Sequence, residues 1–429
     1  MTKYRIIGNM TGNSMDAIDL VLTEFDNNNI KDICSFSTPY TKDMQQKIEY
    51  LRKFARSKTK SQIENIPNFK EIHNEYISQI ASSINQMLET NNIDKSTISA
   101  IGFHGKTLDH NPPSVAKQNN TTPYTVQLGS GQMLANLTLI PVIYDFRSDF
   151  IKNGFEGAPL IAPHNARISL IEGDGCYYNG GNTSNFAIIN NNIAQISSDS
   201  GPFNEYIDNF IRLNTPYSYD IDGIYGKKGE LNKTLLKELF NIGQSFYQQS
   251  IPKSGDPAYY HKEEIFNFVK ENNIKLEDAI HTFEYFSAYI SVFSLTLIPK
   301  NINIPNNFIL FGGGWKNPIV FKYFKDLLSN KAYILPQHKE QFNCLYHRLS
   351  NTPCIKTSKY ADFMEARLFA DLAFHKLENK PWKLPEAILS NKEIICGKIA
   401  SPNHKTSYQD MLSDASLTQE NYLSMSPFL

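Results

Sequence analysis

The alternation of short apolar strings with stretches of helical spacing limits this chain most. Tyr4–Ile7 and Leu20–Phe25 read as β-branched strands, Thr41–Phe54 and Pro67–Thr90 as helices, and Ile98–Phe103 as the next strand. The strand series continues through Thr125–Leu128, Ile140–Ile143, Phe186–Ile189, Ile193–Ile196 and Phe308–Phe311. Helical spacing recurs over Ala162–Leu170, Asn204–Leu213, Asn232–Phe240, Leu276–Ile298 and Phe363–Lys376. Strands alternating with helices predict an α/β chain. Phe69, Ile72, Tyr76, Ile80, Ile84 and Met87 recur every three or four residues, the pattern of a helix packed on a sheet. With 429 residues, 41% of them hydrophobic, the chain can bury enough core for two domains. No internal repeat of fixed period is visible.

Charge narrows the partners. Lys+Arg 42 against Asp+Glu 43 leaves a formal charge of -1, so nothing draws the chain as a whole toward nucleic acid or an anionic membrane. A small molecule is the expected partner. No apolar run reaches the length of a membrane span, and Gly8 interrupts the start before a signal-peptide core forms, which predicts a cytoplasmic location. Cys34, Cys176, Cys344, Cys354 and Cys396 have neither disulfide nor metal-ligand spacing and are expected to be reduced packing residues.

Several polar clusters punctuate this frame. Near the start, a strand runs into Gly8, Thr11, Gly12, Asn13 and Ser14, followed by Asp16 and Asp19. Gly8 and Gly12 would let the backbone turn and approach a ligand, Thr11, Asn13 and Ser14 offer donors, and Asp16 could hold Mg²⁺ through water. The string lacks the Lys of a Walker loop, and a solvated hairpin with Asx-turns would read the same way. Tyr178–Thr183, with Gly180 and Gly181, is a second polar hairpin turn, and two such turns would clamp phosphate from two sides. Gly312, Gly313 and Gly314 end a strand, leaving room for a base or sugar on bare backbone, or merely a flexible turn.

Among the side chains, His104 and Lys106 follow a strand, where open α/β sheets present polar groups to ligands. Arg147, closing Asp145-Phe146-Arg147, suits a carboxylate or sugar oxygen, or else an ordinary ion pair. Gly154–Pro159, which includes Gly157 and Ala158, is expected to open a helix with backbone amides toward an anion or ring oxygens. Asp199, in Ser198–Asn204, is placed at a strand-to-helix turn. There it is either the base of a phosphoryl transfer or a helix N-cap.

Taken together, these strings resemble the anhydro-N-acetylmuramic acid kinase family of the actin, hexokinase and heat-shock-chaperone ATPase superfamily. They run in family order across nearly the whole chain, from Met10–Asp19 through His104–Thr107, Asp145–Arg147 and Gly157–Leu160. The order continues with Asp199–Pro202 and Asn204, Tyr219–Gly223, Pro252–Ser254, Gly312–Gly314 with Asn317-Pro318, and Asp362–Ala366. The resemblance implies a two-lobed actin/hexokinase-like (ribonuclease H-like) fold with a nucleotide cleft between lobes. It places residues 1–135 plus 360–429 in one lobe and 136–359 in the other, and it implies a cytoplasmic homodimer. The implied reaction opens the 1,6-anhydro bridge with water and phosphorylates the sugar O6 from ATP with Mg²⁺.

In that scheme Asp199 is the base. Gly12, Asn13, Ser14, Asp16, Gly180 and Gly181 attend the phosphates and the metal, and Gly312, Gly313, Gly314 and Asn317 attend the adenosine. His104, Arg147, Gly157, Ala158, Pro159 and Asn204 line the sugar. The chain departs from the family mainly near ligands. Ala17 stands where a glycine is usual, Ser148-Asp149-Phe150 follows Arg147, Phe155-Glu156 interrupts the Gly154–Gly157 turn, and Lys253-Ser254-Gly255-Asp256 shortens a longer string. A levoglucosan-type or other sugar kinase, and a non-catalytic sugar or nucleotide sensor, are the competing expectations.

Overall fold

The computed structural model describes residues 3–12, 17–26, 29–255, 257–349, 353–385 and 390–403. The chain forms two units. One runs to Leu160 and resumes at Phe363, and the other is Ile161–Asp362. The first boundary therefore falls at Leu160, later than the expected 135. Strand pairing explains the difference, because the stretch after residue 135 supplies a parallel strand to the first sheet, and Trp382 Nε1 donates to Leu160 O at 2.9 Å.

Unit 1 contains β1 (Tyr4–Thr11), β2 (Ala17–Asp26), β3 (Asn29–Pro39), β4 (Ala100–Phe103), β5 (Lys106–Asn111), β6 (Tyr124–Leu128) and β7 (Val142–Tyr144). Its main sheet runs β3-β2-β1-β4-β7 and ends on the returning strand Lys398–Ala400, while β5 and β6 pair separately. β1, β2 and β3 form an antiparallel meander, and β4 and β7 lie parallel to β1. The helix Phe69–Thr90 buries the predicted face from Phe69 to Met87 in the same apolar cluster as Ile7, Ile101 and Val142. Each large apolar side chain there contributes about 1.5–3 kcal/mol.

The helix Met364–Leu377 also packs on this sheet, and two glycines make that possible. A Cβ on Gly8 would sit 1.9 Å from Ala366 O, and one on Gly102 2.0 Å from Phe369 O. Gly8 therefore lies inside β1 and serves close strand–helix packing, not the ligand-facing turn expected of it.

Unit 2 contains β8 (Gly175–Gly180), β9 (Thr183–Asn190), β10 (Ile193–Pro202), β11 (Asn307–Phe311) and β12 (Cys354–Thr357), ordered β10-β9-β8-β11-β12. Again three antiparallel strands are followed by two parallel to the first. Its core gathers around the helix Leu276–Leu295, buried from Ala279 onward on nearly every side. No helix among the described residues is long and apolar enough to cross a membrane. Cys176 and Cys396 are buried and Cys34 is half-buried, as packing residues should be, whereas Cys344 and Cys354 are exposed; all five are free.

Candidate functional site

In unit 2 the polar groups gather where the parallel strands end. Register sets Asp199 opposite Asn185, Asn185 opposite Asn179, and Asn179 opposite Phe311, so one row crosses four strands. Cross-strand partners share a face of the sheet, which brings Asp199, Asn185 and Asn179 together. Asp199 lies within β10, not at the expected turn, because the strand continues to Pro202 with a register shift after Asp199. Nor does it cap a helix, since Phe203 holds the N-cap of Asn204–Asn214.

The Asp199 side chain is 7% exposed, and its Oδ2 accepts from the Gly255 N–H at 2.7 Å. β10 is an edge strand of this sheet, and the 253–255 segment covers that edge, with Asp199 N donating to Lys253 O at 3.0 Å. A carboxylate held by a backbone amide in a nearly dry place can orient water and accept its proton.

The glycines divide into two kinds. A Cβ on Gly180 would meet Phe203 and Trp315 at 2.8 Å, and one on Gly314 would meet Phe203 at 2.5 Å, so these two make room for packed aromatic rings. Gly313 has nothing within 4 Å and Gly181 nothing nearer than 3.6 Å; their open faces fit a phosphate or a flat ligand lying on backbone. Gly312 takes φ +92, which carries the chain from β11 into the short turn Gly313–Lys316. Asn317 spends its side chain on structure. Its Oδ1 accepts from Ile319 and Val320 at the start of the helix Pro318–Leu328, and its Nδ2 donates to Glu284 Oε1 at 2.6 Å. Asn204 donates its backbone N–H to Gly181 O at 3.1 Å, bracing the Gly180–Gly181 turn.

In unit 1 His104 and Arg147 follow the ends of β4 and β7. Arg147 Nε donates to His104 Nε2 at 2.9 Å and Arg147 Nη1 to Gly157 O at 2.6 Å, so His104, Arg147 and the Gly157–Pro159 turn form one cluster. Burial, with Arg147 and Lys106 nearby, pushes His104 well below the usual imidazole range and keeps it neutral. A guanidinium only donates, so Nε2 carries the lone pair and the ring proton is assigned to Nδ1. His104 thus offers a donor, not a base, and Nδ1 is buried with no well-formed hydrogen bond among the described residues.

The turn does not open a helix directly. The helix Ala162–Glu172 begins three residues after Pro159, with Ile161 at its N-cap. Glu156 accepts from Ser114 N at 3.1 Å and Ser114 Oγ at 2.7 Å, so its charge is spent on that segment. Asp145 bonds Ser148 and pairs with Lys398 at 3.2 Å, tying β7 to the returning strand.

At the first hairpin, Lys106 Nζ donates to Gly12 O at 2.7 Å. Thr11 was expected to face a ligand, but its hydroxyl bonds Tyr40 OH at 3.1 Å and Tyr76 OH at 3.3 Å in the interior. Asn13, Ser14 and Asp16 lie outside the described residues. Among the described residues no three His, Cys, Asp or Glu side chains are grouped to hold a metal. Sequence reading quoted Lys253, Gly255, Asn179 and Asn185 only inside motif strings and gave none of them a place beside Asp199; the pairing of β8, β9 and β10 with their neighbours brings them there.

Two units with the same strand order, a meander of three and then strands parallel to the first, define the actin- and hexokinase-like class of ribonuclease H-like α/β folds. A family model described as anhydro-N-acetylmuramic acid kinase matches residues 4–402, and the chain belongs to that family. An anhydro-N-acetylmuramic acid kinase of Vibrio vulnificus is 29% identical over 391 residues, covering 90% of this chain and 95% of that protein. One from Haemophilus influenzae is 29% identical over 409 residues, covering 92% and 97%. A solved ROK family glucokinase from Streptomyces griseus, in complex with glucose and AMPPNP, is 12% identical with a TM-score of 0.37, covering 86% of this chain and 98% of that one.

Proposed function

We propose that the chain is an ATP-dependent kinase that opens the 1,6-anhydro ring of anhydro-N-acetylmuramic acid and phosphorylates O6, giving N-acetylmuramic acid 6-phosphate and ADP in cell-wall recycling. The observation that carries this reading is the buried Asp199, oriented by the Gly255 amide in a chain that matches the family over residues 4–402. Asp199 takes a proton from water as the water oxygen bonds to the anomeric carbon. The bond from that carbon to O6 breaks, and O6 attacks the γ-phosphorus in line while ADP leaves. One carboxylate serves both stages.

ATP is assigned to the open backbone at Gly181 and Gly313, with Gly12, Gly180, Gly312 and Gly314 shaping the turns. The sugar is assigned to His104, Arg147, Gly157, Ala158, Pro159 and Asn204. The Nδ1 donor of His104 suits an acceptor oxygen on the sugar, and Glu156, bound to Ser114, does not put a free charge against an acidic substrate. Mg²⁺ arriving on the nucleotide needs only one or two carboxylates, with Asp16 the residue assigned to it, and would neutralise phosphate charge. The working form is assigned as a cytoplasmic homodimer without nucleic-acid or membrane partners.

The test is ADP release from Mg-ATP with 1,6-anhydro-N-acetylmuramic acid, levoglucosan and N-acetylglucosamine side by side, with product masses. Turnover with the first alone, giving a product one water heavier than simple phosphorylation, is the expected result. Preference for levoglucosan would reassign the substrate, and silence with all three would point to a sensor.

A further inference from the structure

Lys253 is 3% exposed, yet among the described residues no carboxylate is bonded directly to its ammonium. Nζ donates to Phe246 O at 2.9 Å and Tyr247 O at 2.7 Å, the last carbonyls of the short helix Gln244–Tyr247, and lies 4.7 Å from the centre of the Phe246 ring. Burying an amine is costly, so its place calls for a reason. The backbone of the same residue is pinned to β10: Lys253 N donates to Ser198 Oγ at 3.0 Å, and Lys253 O accepts from Asp199 N at 3.0 Å. Two residues on, Gly255 N donates to Asp199 Oδ2. Gly255 comes that close because it has no side chain, since a Cβ would sit 2.7 Å from Tyr260 OH and 3.0 Å from the Phe246 ring. Tyr260 OH in turn bonds Thr183 Oγ1 at 2.9 Å, at the edge of the Gly180–Gly181 turn.

We infer that Lys253 is a positioning residue for Asp199: its buried amine fastens the 253–255 segment to the end of the Gln244–Tyr247 helix, so that the Gly255 amide holds the carboxylate in one orientation. The inference rests on the reading of Asp199 as the base. The two anchors of the segment have separate tasks. Ser198 fixes its backbone laterally against β10, and the lysine fixes its depth through two carbonyls, Tyr247 O and Phe246 O, the second of which also accepts from Gln249 N at 3.1 Å. A misplacement of about 1 Å at a catalytic group can lower turnover about a hundredfold while leaving nucleotide contacts intact.

The test is Lys253→Met in the full chain, read in two ways. Hydrogen–deuterium exchange at the Gly255 amide is expected to quicken at least tenfold, and kcat to fall about 10- to 100-fold with KM for ATP within about twofold. An equally protected Gly255 amide would overturn the inference, and so would a quickened amide with unchanged kcat. If Lys253→Met does not fold, Ser198→Ala, which removes the other anchor, is read by the same two measurements with the same criteria. With both variants folded, the double variant is expected to be less than additive in kcat, because both act through one segment; additivity would refute the shared path. Amide exchange needs no substrate. Wild-type silence toward every anhydrosugar would therefore defeat the proposed function while the exchange data still judged the anchoring.

Discussion

Burial pushes the Lys253 amine down from 10.5 to about 7, opposed only in part by the charge of Asp199. Between these values the unfolded chain holds a proton on this residue that the folded chain has released, so stability rises with pH across the window from about 7 to 10.5. Linkage at those two values puts the cost of folding with Lys253 at about 4 kcal/mol at pH 7 and about 2 kcal/mol at pH 9. The wild type should therefore gain about 2 kcal/mol from this residue on going from pH 7 to 9. In Lys253→Met that gain is absent. The variant also takes the Nζ donor from Tyr247 O, at about 1–3 kcal/mol, while Phe246 O keeps the Gln249 N–H at 3.1 Å, and this loss offsets part of the relief from losing the buried charge. Its absolute stability at pH 7 is consequently a poor diagnostic, and the pH slope is the informative quantity. Denaturant midpoints of both proteins at pH 7 and 9, analysed with a common slope, measure it directly. Parallel pH dependence in the two proteins would show that Lys253 stays charged when folded and would refute the reasoning.

Asp199→Asn should abolish turnover while nucleotide affinity stays within a few-fold, checked by ADP release and by titration with an ATP analogue; an active variant removes Asp199 from the mechanism. Gly8→Ala should cost about 3 kcal/mol or prevent folding, because its Cβ would overlap Ala366 O, and thermal unfolding reads the loss. Gly313→Ala meets no atom within 4 Å and should melt like the wild type while raising KM for ATP; an unchanged KM would take Gly313 out of the nucleotide site. Asn317→Ala loses a helix cap and leaves Glu284 Oε1 unpaired, and a loss of about 2–3 kcal/mol is expected in denaturant unfolding.

Where one segment's own spacing decides its structure, the sequence was legible. The helix Phe69–Thr90 buries the face its three- and four-residue spacing predicts, and the strings Phe186–Ile189 and Ile193–Ile196 both lie in paired strands, β9 and β10. Largely polar or very short strands were not legible. β3 reads Asn-Ile-Lys-Asp-Ile-Cys-Ser-Phe-Ser-Thr-Pro, half exposed and polar, and β12 is only four residues long; both exist because a neighbouring strand offers its edge. The same limit applies to the site. His104 and Arg147 could be singled out because they follow strand ends, and Asp199 was singled out at an expected strand-to-helix turn although it lies inside β10. By contrast, Lys253 and Gly255 become neighbours of Asp199 only through a chain reversal that no local pattern encodes. Gly8 shows the converse error, since a glycine beside polar residues suggests a ligand loop until the helix packed on it is seen.

The strand orders explain why these scattered polar strings are coherent. In unit 1 the parallel strands β1, β4 and β7 lead at their C-terminal ends to Gly12, His104 and Asp145-Phe146-Arg147. In unit 2 the corresponding strands β8, β11 and β12 lead to Gly181, Gly312 and Ser358, and β10, also parallel to β8, brings Asp199 toward the same end of that sheet. Each sheet therefore presents its turns and polar side chains at one end, where α/β sheets bind ligands. The two sheets share a plan without sharing residues: the first turn of unit 2 is packed by Phe203 and Trp315, whereas in unit 1 Lys106 holds the carbonyl of Gly12. A search for repeated residues fails on such a pair, because what repeats is the order of strand pairing. The residues at the strand ends are free to differ, which lets one unit carry a buried carboxylate, Asp199, and the other a neutral imidazole held by an arginine.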